Sequence, residues 1–211
     1  DVMDGPAGQQ IANGLANAGL QALGWYDSGA RSFYNTKHPI NTPEDLKGLK
    51  FRVMSNDLYV QMVGALGGNA TPMPYGEVYQ SLKTGVIDGA ENNYPSYDSS
   101  GHFEAAKYYS VTQHLILPEC LCVNKALYDG LSDDEKKILQ EAADESVKVQ
   151  RAAWAERAEQ SKEKVVAAGI EVNEIADKAA FQDAMKPVYD NFIKANPDLA
   201  GLVKAIQDAQ K

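Results

Sequence analysis

Arg52 is the residue whose setting in this sequence best suits binding chemistry. It lies in the run KFRV, which predicts a short strand in which Phe51 and Val53 face one side and Arg52 faces the other. Ser55 and Asn56 follow directly and can accept hydrogen bonds from the first turn of a helix. A strand end, a guanidinium and a helix N-terminus in succession are where open α/β sheets place anionic ligands.

The segment after this helix predicts the rest of a parallel unit. The run TPMPYGEVY starts a second helix that ends near Gly85, and a strand over residues 86–90 then delivers Glu91 and Asn92. Strand, helix, extended segment, helix and strand form a right-handed parallel α/β unit, whose strand ends bring Arg52 and Asn92 to one rim. A guanidinium holds a carboxylate with two parallel hydrogen bonds, and an Asn amide serves a carboxylate oxygen or a hydroxyl.

The runs PEDLKGLKFRV and TPMPYGEVYQSLKTGVIDGAENN, with Arg31 upstream, resemble the substrate-binding proteins of tripartite ATP-independent periplasmic (TRAP) transporters, the DctP-like family. The resemblance implies a two-lobed α/β periplasmic binding protein, its lobes joined by strands and a long lobe-spanning helix. It also implies that Arg52 forms the main ion pair with a ligand carboxylate. Asn92 assists this pair, Arg31 is the second arginine, and Tyr75 lines the site.

Each of these residues also has a purely structural interpretation. Arg31 is equally suited to holding the two lobes together, and Asn92 is followed by loop chemistry of the Asn-Tyr-Pro type. Tyr75 is a candidate packing aromatic, as are Tyr94 and Tyr97. The strand-end position and the matching motifs favour a ligand role for Arg52 and Asn92.

The flanking sequences of Arg31 and Asn92 look most like members that bind sugar acids, in particular hexuronates such as glucuronate or galacturonate. The hydroxyls of such a ligand need polar partners, for which Asn93, Ser55, Asn35 and the tyrosines are candidates. A C4-dicarboxylate or a 2-oxo acid is the competing ligand, since two arginines suit a diacid.

Two other classes of function stay open. A sugar-acid lyase or dehydratase would need a base beside the carboxylate, with Glu91, Asp88 and His114 as the candidates by sequence. A sensory domain with the same fold would need a link to a signalling module. The chain shows no nucleophile elbow, phosphate loop or zinc-protease motif, so we expect no enzyme activity and no cofactor.

Composition narrows the partners. The 211 residues are 44% hydrophobic and carry a formal net charge of −9, which predicts a folded core and argues against nucleic acid as a partner. No apolar run is long enough to span a bilayer, so we expect a soluble periplasmic protein without direct membrane insertion. The expected partners are an organic acid and the membrane permease subunits of a TRAP transporter, and we expect a monomer.

The order of elements predicts the domain organisation. Residues 1–30 and 114–158 are assigned to the first lobe, and residues 31–113 and 159–211 to the second. The family opens with a strand and further elements before the helix that we expect from Gln9 to about Leu23. A substantial N-terminal part of the first lobe is therefore expected to be absent, leaving that lobe incomplete.

The second half of the chain predicts mainly scaffold. Ser132 and Glu135 form a capping box that opens an unusually long helix ending at Gly169. A short strand at Ile170–Val172 and two closing helices, 178–196 and 200–209, follow. Cys120 and Cys122 are expected to be buried free thiols, because their spacing suits neither an unstrained disulfide nor a common zinc site.

Overall fold

The structure of the protein, a computed structural model, describes residues 2–209. The helices are α1 (Pro6–Asn17), α2 (Asp57–Ala65), α3 (Val78–Thr84), α4 (Tyr94–Ser99), α5 (His102–Ala105), α6 (Lys125–Asp129), α7 (Asp133–Ala167), α8 (Ala179–Ala184), α9 (Lys186–Ala195) and α10 (Ala200–Asp208). The strands are β1 (Leu20–Tyr26), β2 (Ala30–Asn35), β3 (Lys50–Val53), β4 (Asn69–Pro72), β5 (Gly89–Asn92), β6 (Tyr108–Ile116), β7 (Glu119–Asn124) and β8 (Glu171–Glu174). Helices and strands alternate as the predicted α/β class requires.

The described chain forms two compact units. Unit 1 comprises residues 2–29, 117–156 and 195–209, and unit 2 comprises residues 30–116 and 157–194. Helix α7 contributes its first part to unit 1 and its last part to unit 2. Residues 195–209, which the sequence analysis assigns to the second lobe, group with unit 1.

Unit 2 is built on a six-stranded mixed sheet in the order β4-β3-β5-β2-β6-β8. Strands β4 and β5 both pair in parallel with β3, which confirms the predicted parallel unit. Strand β2 pairs antiparallel with both β5 and β6, and β8 pairs in parallel with β6. The carboxyl ends of β3, β5, β6 and β8 therefore share one edge of the sheet with the amino end of β2.

Two hydrophobic clusters cover the two faces of this sheet. Phe33, Phe51 and Val53 belong to one cluster, together with residues of α2, whereas Tyr34 belongs to the other. Phe51 and Val53 therefore share a face, as the strand pattern predicts, and Arg52 is directed away from it.

The strand that carries the site begins later than predicted. Helix α3 ends at Gly85, which has a left-handed backbone with φ of 74°, and residues 86–88 form a turn before β5 starts at Gly89. A Cβ at Gly89 would lie 2.5 Å from both Tyr34 O and Phe51 Cε1, so the neighbouring strands approach too closely for any other residue. Glu91 and Asn92 consequently lie within the strand rather than after it.

Unit 1 contains a two-stranded antiparallel sheet of β1 and β7. The predicted helix from Gln9 to Leu23 is wrong in its last turn. Helix α1 ends at Asn17, Gly19 has a positive φ of 79°, and the chain from Leu20 enters β1. The left-handed glycine terminates the helix more strongly than the apolar residues beyond it extend it.

The long helix is confirmed over Asp133–Ala167. Its predicted capping box is present, because Ser132 N and Oγ both lie 2.8 Å from Glu135 Oε2, and Glu135 N donates to Ser132 Oγ. The closing helix predicted over 178–196 is instead two helices, α8 and α9, which meet at Met185.

Within unit 2, the last part of α7 is joined to α4 by one buried carboxylate. Asp98 accepts hydrogen bonds from Arg157 Nη2 at 3.1 Å, Ser161 Oγ at 3.1 Å and Lys164 Nζ at 2.6 Å. These three α7 residues are spaced by four and three positions, so they lie on one face of the helix. The Asp98 side chain itself is fully buried.

The prediction that both thiols are buried is wrong. Cys120 and Cys122 are free, but Cys120 is only half-buried and Cys122 is exposed. They occupy alternate positions of β7 and therefore lie on the same face of this strand, where Cys122 is accessible to solvent. Among the helices of residues 2–209, none combines the length and apolar character needed to cross a membrane.

Candidate functional site

Arg52 and Asn92 meet at the carboxyl edge of the unit 2 sheet. Arg52 is the third residue of β3 and Asn92 is the last residue of β5, and these strands are parallel neighbours. Arg31 lies at the amino end of β2, whose Ser32 is in register with Asn92. Strand β6 adds His114 at the same edge, because it runs antiparallel to β2. The sheet topology thus gathers the residues that the motifs singled out.

Within the part of the chain that the structure describes, Arg52 is a buried cation without a carboxylate partner. Only 4% of its surface is exposed. Its Nε donates to Met73 O at 3.0 Å, and its guanidinium carbon lies 5.4 Å from the centroid of the Tyr75 ring. Within residues 2–209 Arg52 forms no ion pair. Its two Nη groups are therefore available to an acceptor from outside the chain.

Burial makes the position of Arg52 unfavourable for a cation. Burial lowers the pKa of Arg52 from its ordinary value and outweighs the charge of Glu91, which acts to raise that pKa. Nearby His102 is also affected, because burial and the charge of Arg52 together lower the pKa of His102 to about 4. A bound carboxylate would relieve the unfavourable environment of Arg52.

Arg31, by contrast, is fully paired within the protein. Its Nε lies 2.6 Å from Glu91 Oε2, and its Nη2 lies 2.7 Å from Glu91 Oε1 and 2.8 Å from Glu91 O. Burial alone would lower the pKa of Arg31, but the hydrogen bonds and charge of Glu91 outweigh it and raise that pKa. Glu91 is the partner that sequence reasoning missed, since it was considered there only as a candidate base.

Glu91 is held as a carboxylate by the same network. Burial acts to raise the pKa of Glu91, but the hydrogen bonds and positive charge of Arg31 hold it below its usual value. The Nε2 atom of His114 lies 3.5 Å from Glu91 Oε2, its Nδ1 lies 2.8 Å from Thr112 Oγ1, and its ring stacks on Phe33. The ion pair of Arg31 is thus embedded in the sheet.

Asn92 presents donors at the edge. Its Oδ1 accepts a hydrogen bond from the backbone N–H of Asn93 at 2.9 Å, so the amide orientation is fixed and its NH₂ group faces outward from that turn. Asn93 has a local role as N-cap of α4, because its Oδ1 accepts from Ser96 N at 2.9 Å. Asn92 is thus at the strand end, as predicted, while Asn93 starts a short helix that the sequence did not reveal.

The remaining predicted contacts differ in exposure. Tyr75 is 41% exposed and lies against Arg52, whereas Ser55 is exposed on the turn three residues beyond Arg52. The amide of Asn35 is engaged in its own turn, where Oδ1 accepts from Lys37 N and His38 N and Nδ2 donates to His38 O. Asn35 is therefore not a free partner for a ligand hydroxyl.

The tyrosines next to the edge form packing layers. Tyr97 is fully buried and donates to Ala106 O, and Tyr94 stacks on Tyr109 with ring centroids 4.2 Å apart. For Tyr97 the structure favours the packing interpretation over ligand contact.

Within residues 2–209, the two Nη groups of Arg52 and the amide NH₂ of Asn92 are donors at this edge that remain available to a ligand. Such a set suits a ligand group that only accepts hydrogen bonds, and an ionised carboxylate is that kind of group. No cluster of three or more His, Cys, Asp or Glu side chains within residues 2–209 is arranged to hold a metal ion.

Comparison with known proteins identifies the family. Residues 1–196 match the DctP family, described as bacterial extracellular solute-binding protein, family 7, and the chain belongs to this family. A curated solute-binding protein of Chromohalobacter salexigens is 60% identical over 209 residues, a match that covers 99% of this chain and 62% of the relative. The chain thus spans less than two thirds of that relative's length.

Solved structures agree with the fold. A TRAP periplasmic solute-binding protein from Chromohalobacter salexigens with bound D-glucuronate has a TM-score of 0.95 and 60% identity, covering 99% of this chain and 69% of that one. A second TRAP protein, from Sulfitobacter sp. NAS-14.1 with bound β-D-galacturonate, has a TM-score of 0.94 and 55% identity, covering 98% of this chain and 69% of that one. The predicted α/β fold of the TRAP binding-protein type is therefore confirmed.

Proposed function

We propose that this protein is an extracytoplasmic receptor that binds a hexuronate through Arg52 and passes it to the membrane permease of a TRAP transporter. The observation that carries the proposal is the buried guanidinium of Arg52, which has no carboxylate partner in the described chain. A ligand carboxylate would supply the missing charge, and Asn92 would donate a further hydrogen bond to it. The related proteins crystallised with D-glucuronate and β-D-galacturonate support the choice of ligand class.

The state of Arg31 favours a monoacid over a diacid. From the sequence, two arginines suited a C4-dicarboxylate, but Glu91 already neutralises Arg31 inside the sheet. Of these two arginines, Arg52 alone then has no carboxylate partner among the described residues, and it matches the single carboxylate of a uronate. Asn93 and Ser55 are the proposed neighbours of the sugar hydroxyls, and Tyr75 lines the site against Arg52.

The candidate bases of the rival enzyme are engaged in structural contacts. Glu91 is paired with Arg31, and His114 lies against Glu91 and Thr112. Asp88 accepts a hydrogen bond from Lys50 N at 2.9 Å and so joins β3 to the turn before β5. These contacts support capture of the ligand without chemistry. Periplasmic location and a monomeric state belong to the same proposal.

Calorimetric titration of the purified protein tests the proposal. D-glucuronate and D-galacturonate should bind, and succinate and pyruvate should bind more weakly. D-glucuronamide, which keeps the ring but replaces the carboxylate by an amide, should not bind measurably. Equal affinity for glucuronate and glucuronamide would contradict the role of Arg52, and turnover of glucuronate on long incubation, followed by NMR, would favour the enzyme.

A further inference from the structure

The segment from Met73 to Tyr75 holds Arg52 from two directions. The carbonyl of Met73 accepts a hydrogen bond from Nε at 3.0 Å, and the ring of Tyr75 lies against the guanidinium at 5.4 Å. A planar guanidinium that is fixed at Nε and on one face keeps a single orientation. The orientation of the two free Nη groups therefore depends on where Tyr75 sits.

Tyr75 is in turn anchored to helix α4. Its hydroxyl lies 3.1 Å from Ser100 Oγ and 3.2 Å from Ser96 O. The Ser100 hydroxyl donates to Ser96 O, so Tyr75 is the donor in its contact with Ser100. The ring is also exposed enough that these bonds, rather than dense packing, determine its position.

His102 packs against the ring of Tyr75. The two ring centroids are 5.3 Å apart, and His102 Nδ1 lies 2.7 Å from the buried hydroxyl of Tyr34. Because the pKa of His102 is lowered to about 4, the imidazole is neutral near pH 7 and adds no second positive charge beside Arg52. The chain of contacts from α4 and His102 through Tyr75 to Arg52 is therefore continuous.

We propose that Tyr75 is a positioning residue, which transmits the position of α4 to Arg52 and affects ligand affinity through Arg52. Helix α4 begins at the Asn93 cap, directly after Asn92, and Tyr75 is bonded to Ser100, the C-cap residue at its other end. The same short helix thus fixes the spacing between the Arg52 and Asn92 donors. This inference rests on the proposed carboxylate-binding function.

A double-mutant cycle separates action through Arg52 from direct contact with the ligand. Tyr75→Phe keeps the ring but removes the hydroxyl anchor, and we expect about a 3- to 10-fold weaker Kd for D-glucuronate, the range of one ordinary hydrogen bond. In an Arg52→Lys background, where the planar fork is absent, the same substitution should change Kd by less than about 2-fold. Calorimetry measures Kd in both backgrounds, with higher ligand concentrations for the Arg52→Lys variants because these bind more weakly.

Serine variants on α4 provide a matched pair. Ser100→Ala removes one partner of the Tyr75 hydroxyl and should weaken binding by less than Tyr75→Phe, whereas Ser99→Ala, an exposed change one residue away, should have no effect. Ser100→Thr keeps a hydroxyl at this position and should bind D-glucuronate with nearly wild-type affinity. Melting temperatures check folding, and Ser100→Ala tests the anchor even if Tyr75→Phe folds poorly.

Two results would overturn the inference. An equal loss from Tyr75→Phe in both backgrounds would mean that Tyr75 contacts the ligand independently of Arg52, and unchanged affinity in Tyr75→Phe and Ser100→Ala would mean that the anchor is irrelevant. If the wild-type protein itself does not bind D-glucuronate, the proposed function has failed instead.

Discussion

Two buried arginines at one sheet edge have opposite surroundings. Arg31 and Arg52 are 6% and 4% exposed, and each lies on a strand of the same sheet. Arg31 shares three hydrogen bonds with Glu91, whereas Arg52 contacts a backbone carbonyl and an aromatic ring but no carboxylate of residues 2–209. The charge of Arg31 is therefore neutralised by Glu91, whereas no carboxylate of the described residues neutralises the charge of Arg52.

The difference shows in the pKa directions of the two side chains. Glu91 raises the pKa of Arg31 despite burial, while burial lowers the pKa of Arg52. A buried ion pair is costly to break but adds little over an apolar replacement, whereas an unpaired buried cation is unfavourable until a ligand arrives. The two arginines thus differ in environment rather than in burial, and this difference supports a structural role for Arg31 and the proposed binding role for Arg52.

Removing the compensating charge should have the largest effect. Glu91→Gln leaves Arg31 buried without a counter-charge, and we expect the free energy of unfolding to fall by about 3 to 5 kcal/mol. The double variant Arg31→Met/Glu91→Leu should recover most of this loss, because neither charge remains. Urea unfolding measures each value, with the exposed Glu77→Gln as a charge-matched control. If the free energy of unfolding fell no further in Glu91→Gln than in the control, Arg31 would not depend on Glu91 as its counter-charge.

Removing the uncompensated arginine should affect binding and leave folding intact. Arg52→Met should weaken D-glucuronate binding by about 2 to 5 kcal/mol, as for other desolvated charge pairs cut on one side. The ligand-free protein should be as stable as the wild type or more stable, because an unpaired buried charge is gone. Calorimetry and thermal unfolding without ligand test the two halves, and native affinity or a large fall in melting temperature would each contradict the prediction.

The pH dependence of stability should report the buried, neutral state of His102 beside Arg52. The pKa of His102 falls from 6.5 to about 4 on folding, so the unfolded chain binds more protons between these values. Stability is then lost as pH falls through this window, by up to about 3 kcal/mol. His102→Asn, which keeps an acceptor near the Nδ1 position, should flatten the dependence.

The exposed His38→Asn serves as the control for that experiment and should leave the curve unchanged. Hydrogen bonds from Arg31 outweigh burial and hold the pKa of Glu91 below its usual value. Glu91 therefore stabilises the fold at pH values above its unfolded pKa, and this contribution is lost at more acidic pH. Chemical denaturation at a series of pH values therefore separates the two regions by the window in which each titrates. A His102→Asn curve identical to that of the wild type would count against the buried, neutral state of His102.

The sequence predicted the framework of the site well, because local patterns determine it. Alternation placed Phe51 and Val53 opposite Arg52, and the glycine-bounded helix between Arg52 and Asn92 required a parallel crossover. The pairing of Arg31 with Glu91 was out of reach, since β2 and β5 are sixty residues apart and their register depends on strands that the pattern did not reveal. Helix α4 was missed for a similar reason, because Asn-Tyr-Pro chemistry is common to loops and to helix starts.

The convergence of Arg157, Ser161 and Lys164 on Asp98 restricts how the long helix can vary in length. Each residue inserted into or deleted from an α-helix rotates everything beyond it by about 100°. A one-residue insertion between Arg157 and Lys164 would turn the lysine away from Asp98 and leave part of a buried carboxylate unanswered. Insertions and deletions among relatives are accordingly expected elsewhere along this helix, so that the segment of about two turns from Arg157 to Lys164 should keep a constant length in alignments.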